Sequence, residues 1–285
     1  MTLPWSRFLL VPLLLSAALL VASQYVFLSG SVRADLGVGR LGNTLTLANY
    51  AKLFTDTFYV DSLWLTVKLS GIATIATLIV GLPVAYVLAR MRSRWGPVLL
   101  ATLVAASFVT IVIKVLGLNI IFASNGGLNQ FLVGSGLVAK PVTLLGTVGG
   151  VAVGLMYFTL AFLVMLLYSV VLTIPRSLEE AAQILGASRW RMHWRVVLPL
   201  ALPGIVASAL IVFNLCMGAF TSAALIGAGK ILTLPVLIQR TVIFDTRYGM
   251  GATLAVVLLV AGLVVNLVSI LVVNRMKVAR GGVVA

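Results

Sequence analysis

The chain has 285 residues, of which 61% are hydrophobic and only 9% charged, with a mean hydropathy of +1.18. A soluble domain of this length cannot cover its surface with so little charge, so the composition excludes a water-soluble globule and predicts an all-α, polytopic membrane helix bundle. The 20 basic residues against 6 acidic ones point to anchoring charges at span ends and to anionic lipid headgroups, not to nucleic acid.

Met1–Arg7 reads as a short tail carrying Arg7, followed by an apolar first span over residues 8–28. At about 1.5 Å per residue it crosses a hydrocarbon core of roughly 30 Å. At about 21 apolar residues the run is longer than a signal-peptide core, so the segment reads as a retained span and not as a signal peptide. Ser29–Ser62 is a polar connection with Asp35, Asp56 and Asp61, in which residues 47–56 predict a short surface helix. Leu63–Leu88 is the second span, with Pro83 expected to kink its inner half, for gating or for packing. Arg90, Arg92 and Arg94 then form a short acid-free loop, the clearest cytoplasmic signal in the chain. The third span is expected from Val98 to about Ile121, with Lys114 near its far end. Asn125–Pro141 is glycine-rich and reads as an outer surface or partly inserted segment. Leu144–Leu172, Val196 to about Ala223, and Gly251 to about Val273 are the fourth, fifth and sixth spans. Arg275, Lys277 and Arg280 anchor an inner tail.

Six spans put both termini in the cytoplasm. This assignment leaves eleven basic residues inside and places four of the six acids outside. The spans carry no Asp or Glu, so the coupling-ion site of a secondary transporter is missing. Cys216 allows no intrachain disulfide, and His193 has no carboxylate cluster with which to hold a metal. No nucleophile–base set and no phosphate loop occurs. The chain is therefore read as non-catalytic, with no cofactor or metal of its own.

The most polar part of the second half is Ser177–Pro199, SLEEAAQILGASRWRMHWRVVLP, between the fourth and fifth spans. Ser177 and Glu180 have the spacing of a capping box, which predicts a helix start. Gly186 suits the left-handed residue that ends that helix, and Ser188 can cap a second short helix through Arg189 and Trp194. Two short helices with a glycine elbow are expected, with Pro199 and Pro203 turning the chain back into its apolar run.

Glu180-Ala181-Ala182, Gly186 four residues on, and Leu198-Pro199 beginning twelve beyond that resemble the EAA loop of binding-protein-dependent ABC importer permeases. Val196 stands where isoleucine is usual. In that family the loop is the coupling helix that docks on the cytoplasmic ATPase. The resemblance implies ATPase coupling through Glu179, Glu180, Ala181, Ala182, Gly186, Ser188, Arg189, Leu198 and Pro199. It covers roughly Asn49 to Asn274 and implies the type I ABC importer permease fold as one transmembrane domain over residues 1–285. Within it lie a permease core of about 62–275 and a cytoplasmic coupling loop at 177–195. Asn125-Gly126-Gly127-Leu128-Asn129-Gln130 and Gly218-Ala219-Phe220 are similar to the spermidine/putrescine permease branch.

By that resemblance the chain works in a bacterial cytoplasmic (inner) membrane with a second, homologous but different permease. The other implied partners are two ABC ATPases that bind ATP and magnesium, a periplasmic or extracellular solute-binding protein, and membrane lipid. Tyr157, Thr159, Asn214, Met217, Phe220 and Thr221 are the candidate pathway residues, with ordinary helix packing as their alternative. The implied solute is a polyamine, or a zwitterionic or anionic one such as an aminoethylphosphonate. Lys68 and Lys114 toward outer span ends, and Lys140, Lys230, Arg240 and Arg247 in outer loops, favour negative charge if they line the entrance; as lipid-facing anchors they carry no such meaning. A secondary transporter or channel without an ATPase partner is the competing class, and the loop motif counts against it.

Overall fold

Ser70, Thr74 and Thr77 donate their hydroxyls to the carbonyls of Thr66, Ser70 and Ala73 within one long helix. A helix that satisfies its own side chains in this way can bury a polar ridge in an apolar bundle. The computed structural model describes residues 5–281, with side chains described from residue 10 to residue 271. Six helical segments among these are long and apolar enough to cross a membrane: Leu10–Ser31, Thr57–Arg90, Ile111–Gly134, Val148–Leu172, Arg189–Met217 and Tyr248–Leu271. The side chains of Arg7, Arg275, Lys277 and Arg280, expected as inner anchors, lie outside the described residues.

The chain divides into two compact units. One comprises residues up to Leu63 together with Leu234–Ala261. It holds α1 (Trp5–Ser31), strands β1 (Arg33–Asp35) and β2 (Leu41–Leu45), α2 (Ala48–Thr55), α12 (Leu234–Gln239) and the start of α13 (Tyr248–Gly281). The expected surface helix is α2. The antiparallel β1–β2 hairpin was not expected. Its tip passes through left-handed backbone at Gly37, Val38 and Gly39, where two glycines remove the Cβ penalty. Buried Asp35 accepts from the Gly37 and Met250 amides, at 3.1 Å each, and pairs with Arg247 at 3.7 Å. A carboxylate at the start of α13 meets amides that have no partner within the helix. Asn49 donates to the Arg33 carbonyl and Tyr50 to the Ser31 hydroxyl, tying α2 to the hairpin.

The other unit comprises Trp64–Thr233 and the chain from Gly262 onward. It contains most of α3 (Thr57–Arg90), α4 (Trp95–Phe108), α5 (Ile111–Phe122), α6 (Gly127–Gly134), α7 (Val148–Leu172), α8 (Arg176–Ile184), α9 (Arg189–Met192), α10 (Leu198–Met217) and α11 (Phe220–Ile226). Small residues let these helices meet closely. A Cβ added at Gly154 would run into the Ile226 side chain, and one at Gly204 into Val170.

Several expected boundaries are corrected. The single third span at 98–121 is two helices, because Val109 and Thr110 take extended backbone between α4 and α5. Two adjacent β-branched residues favour that conformation over helix. At 14 residues α4 is about 21 Å long, too short for a span by itself, and the apolar segment of spanning length is Ile111–Gly134, made of α5 and α6 with a turn at 123–126 between them. The fifth span begins earlier than Val196 and ends at Met217, where Gly218 and extended Ala219 break it; Phe220 and Thr221 sit on the separate α11. The second span runs out to Thr57 and so includes Asp61, exposed in its first turns.

Candidate coupling site

The polar connection between α7 and α10 starts at Pro175, whose fixed φ and extended ψ of 131° make it the N-cap of α8. The expected capping box is therefore corrected. Ser177 already lies inside the helix, which starts two residues earlier because proline is preset for a helix entry. Gly186 ends the helix at φ +81°, and the Ser188 hydroxyl accepts from the Arg191 amide at 3.3 Å, both as expected. The second short helix is not separate from the fifth span: α9 runs through one wide π-turn at His193–Val197 into α10. The widened turn falls just before Pro199, whose ring and missing N–H disrupt regular α-helical bonding to Arg195.

The two adjacent acids separate. Glu180 is exposed and 3.9 Å from the exposed Arg92, a surface pair worth about 0–1 kcal/mol. Glu179 is buried. Its Oε1 accepts from Arg90 Nε at 2.8 Å and its Oε2 from the Tyr86 hydroxyl at 2.7 Å. Arg90 and Tyr86 are one turn apart on α3 and share a face. Arg90 also donates to the Ile174 carbonyl at 2.9 Å, and Arg176 donates to the Ala89 carbonyl at 3.2 Å. Arg176 thus caps a carbonyl in the last turn of α3, and Arg90 one just past the end of α7. The His193 ring meets Tyr86 edge-on at 4.3 Å between centroids. Below it, Ile174, Val197 and Ala201 form a small apolar core with Tyr86, Val170 and Ile205. Removing one partner of a pair this buried costs about 3–5 kcal/mol, since the other charge is left without a counterion.

The opposite side of the elbow is apolar and open. Ile184 and Leu185 are 86% and 87% exposed and Trp190 is 73% exposed, while Trp194 packs edge-on against Trp190. Ala181, Ser188 and Arg189 are exposed, and Ala182, Leu198 and Pro199 half-buried.

The candidate pathway residues sit on three helices, Tyr157 and Thr159 on α7, Asn214 and Met217 on α10, and Phe220 and Thr221 on α11. Thr159 is buried on α7, with its hydroxyl 3.3 Å from that of Thr77. Asn214 and Asn266 exchange amide hydrogen bonds at 3.0 and 3.1 Å. Met217 lines a small cavity, too tight for a water molecule, with Thr66, Leu69, Ser70, Leu155, Cys216 and Thr233. Tyr157 is about half exposed, and Lys114 Nζ lies 6.0 Å from its ring centre. Phe220 and Thr221 are half-buried.

A family model described as the inner membrane component of binding-protein-dependent transport systems matches residues 8–278. The chain belongs to that family. The spermidine/putrescine transport system permease protein PotB of Haemophilus influenzae is 32% identical over 212 residues, 74% of each chain. That of Escherichia coli K12 is 34% identical over 213 residues, 75% of this chain and 77% of its own. The sulfate transport system permease protein CysW of Synechocystis is 28% identical over 208 residues, 72% of this chain and 74% of its own. Among solved structures, a bacterial ABC transporter involved in import of the acidic polysaccharide alginate matches at a TM-score of 0.79 and 18% identity. That match covers 95% of this chain and 96% of the other. The inward-facing methionine ABC transporter MetNI matches at 0.61 and 21%, covering 76% and 94%. These likenesses give the chain the type I ABC importer permease fold, and the family makes it a multi-pass inner-membrane permease component, a subunit that is not itself catalytic.

Within this family fold, sequence reasoning missed Tyr86, Arg90 and Arg176. Arg90 was read only as an orientation charge. The available signal was Glu179 itself, an acid beside the exposed Glu180 on the inward face of a strongly amphipathic nine-residue helix.

Proposed function

We propose that this permease subunit couples solute import to a cytoplasmic ATPase through the loop at 177–195, with Gly186 at its elbow. One observation carries the reading: Ile184, Leu185 and Trp190 are thrust outward around Gly186 while the charge of Glu179 is turned inward. Large apolar residues clustered at the tip of a polar connection mark a protein-binding surface. ATP and magnesium belong to the partner ATPases, two of which serve a pair of permeases made of this chain and a homologous one. A solute-binding protein delivers the solute from the other side of the membrane, and both termini lie in the cytoplasm. The test is co-purification of the ATPase with the affinity-tagged permease. Leu185→Asp, fully exposed and therefore harmless to the fold, is expected to lose the ATPase. Retention of the ATPase by both Leu185→Asp and Trp190→Asp would refute docking at this elbow.

The solute is a small polar amine of the kind the PotB relatives are named for, either a polyamine or an amino compound that also carries an acid group. Lys114 favours the second. It is buried in α5, with its Nζ 6.0 Å from the centre of the Tyr157 ring and no carboxylate paired with it among the described residues. A cation held there without a carboxylate is better matched to negative than to positive cargo.

A further inference from the structure

We propose that Arg90 is a positioning residue for coupling: its ion pair with Glu179 fixes the loop to α3, so that displacement of the loop is carried along α3 to a small cavity, too tight for a water molecule, at Thr66 and Ser70. This rests on the docking reading and adds the element that receives the motion.

Chain connectivity alone would hand loop movement to α7 and α10, the helices it joins. The side-chain contacts send it elsewhere. Both oxygens of Glu179 are held by α3, one by Arg90 and one by Tyr86. Arg176 returns the contact by donating to the Ala89 carbonyl, and Arg90 donates to Ile174, just ahead of α8. Tyr86 is touched from the second half of the elbow as well, by His193. The two halves of the loop are thereby laced to one turn of one helix. A planar guanidinium that holds a carboxylate and a carbonyl together fixes angle as well as distance.

From Arg90 to Thr66 is 24 residues of continuous helix, about 36 Å; Pro83 lies within it and removes one backbone hydrogen bond without ending the helix. Along that length the buried hydroxyls of Thr66, Ser70, Thr74 and Thr77 form one ridge. At its far end Thr66 and Ser70 line the cavity with Leu155, Cys216, Met217, Ala219, Ala223 and Thr233. Among the described residues the buried Thr233 hydroxyl has no hydrogen-bond partner, an arrangement that a small shift of α3 can complete or relieve. A packed helix moves as a unit, so a joint at one end and a cavity at the other make two positions of α3 two states of the cavity.

Cys216, the chain's single cysteine, lines that cavity and reports on it. The experiment measures the rate at which N-ethylmaleimide labels Cys216 in the complete complex in lipid, without nucleotide and after trapping with ATP and vanadate. Labelling is read on this chain's own peptide. In the wild type, trapping is expected to change the rate at least about fivefold, the lower end of ordinary coupling between sites. Arg90→Gln and Glu179→Gln are expected to lose that change while the ATPase still co-purifies. The double variant should be no worse than either single one, as for two residues acting as a pair. If Arg90→Gln fails to assemble, Tyr86→Phe keeps the ring against His193 and deletes only the bond to Glu179; a weakened response supports the joint. A full wild-type response in that variant, or in Arg90→Gln, overturns it, as do losses that multiply in the double variant. Intact co-purification with a wild-type Cys216 that ignores nucleotide overturns this proposal alone. Absence of any ATPase from the wild-type complex overturns the docking reading beneath it.

Discussion

Two residues seven positions apart do opposite things at the elbow. Glu179 needs a specific partner, whereas Gly186 needs only its backbone angle. At φ +81° and with nothing within 4 Å of a Cβ built on it, Gly186 has room for any side chain. Conformation alone restricts it. Left-handed backbone costs an ordinary residue roughly 1–2 kcal/mol, and a β-branched one is the worst case. Asparagine tolerates the same region. Gly186→Asn should therefore keep near-normal solute-stimulated ATP hydrolysis in the reconstituted complex, and Gly186→Val should lose most of it. Equal rates in the two variants would mean that the elbow angle is irrelevant to coupling. Gly186 was legible in the sequence because its signal is local, a glycine at the end of an amphipathic helix. The role of Glu179 was not, because its partners Arg90 and Tyr86 stand 89 and 93 residues away and no spacing rule reaches that far.

The elements follow the same division between local and distant signals. Continuous apolar runs gave the long helices at 57–90 and 148–172 and the last span, since about 20 apolar residues have few alternatives in a bilayer. Three features escaped that reading. The β1–β2 hairpin is only three and five residues long and is held largely by Asp35 and Asn49. The break at Val109–Thr110 contains neither glycine nor proline, so hydropathy passes straight over it. The π-turn at His193–Val197 joins a loop helix to a span that sequence separates by polarity. None of these alters the count of six spans among the described residues, on which the sidedness expectation rests. Arg92, on the 91–94 connection after α3, is the most informative position, being 79% exposed in its side chain. Arg92→Cys, Asp56→Cys and Lys140→Cys, each with Cys216→Ala, can be treated with a membrane-impermeant maleimide in cells whose outer membrane, if present, is permeabilised. Asp56→Cys and Lys140→Cys should react and Arg92→Cys should stay silent. Labelling of Arg92→Cys in intact inner membranes would invert the topology and remove the coupling loop from the ATPase's side.

Charge distribution across the molecule bears on what passes through it. The chain carries +14 overall, yet its acids are largely occupied or remote from the bundle interior. Asp35 is taken by Arg247 and the start of α13, Glu179 by Arg90, and Asp61 is exposed in the first turns of α3. Lys114 is the buried cation that stands against them. Two like charges about 6 Å apart at an effective dielectric constant of about 20 repel by roughly 3 kcal/mol, about a hundredfold in occupancy. A polyamine brings several such charges, and this chain offers no free buried carboxylate among its described residues to offset them. An amino compound with a phosphonate or carboxylate reverses the sign of the first encounter and keeps its amine for aromatic faces such as Tyr157. The solute-binding protein that works with this permease should therefore bind 2-aminoethylphosphonate or a comparable amino acid-like anion more tightly than putrescine or spermidine, as read by calorimetry. In the reconstituted complex, Lys114→Gln should raise the KM for that solute about tenfold or more while leaving basal ATP hydrolysis intact. Tight binding of putrescine or spermidine with no affinity for phosphonates or carboxylates would contradict the charge argument. Lys114 would then be a cation held by Tyr157 for packing, and the acids that receive a polyamine would have to come from the second permease.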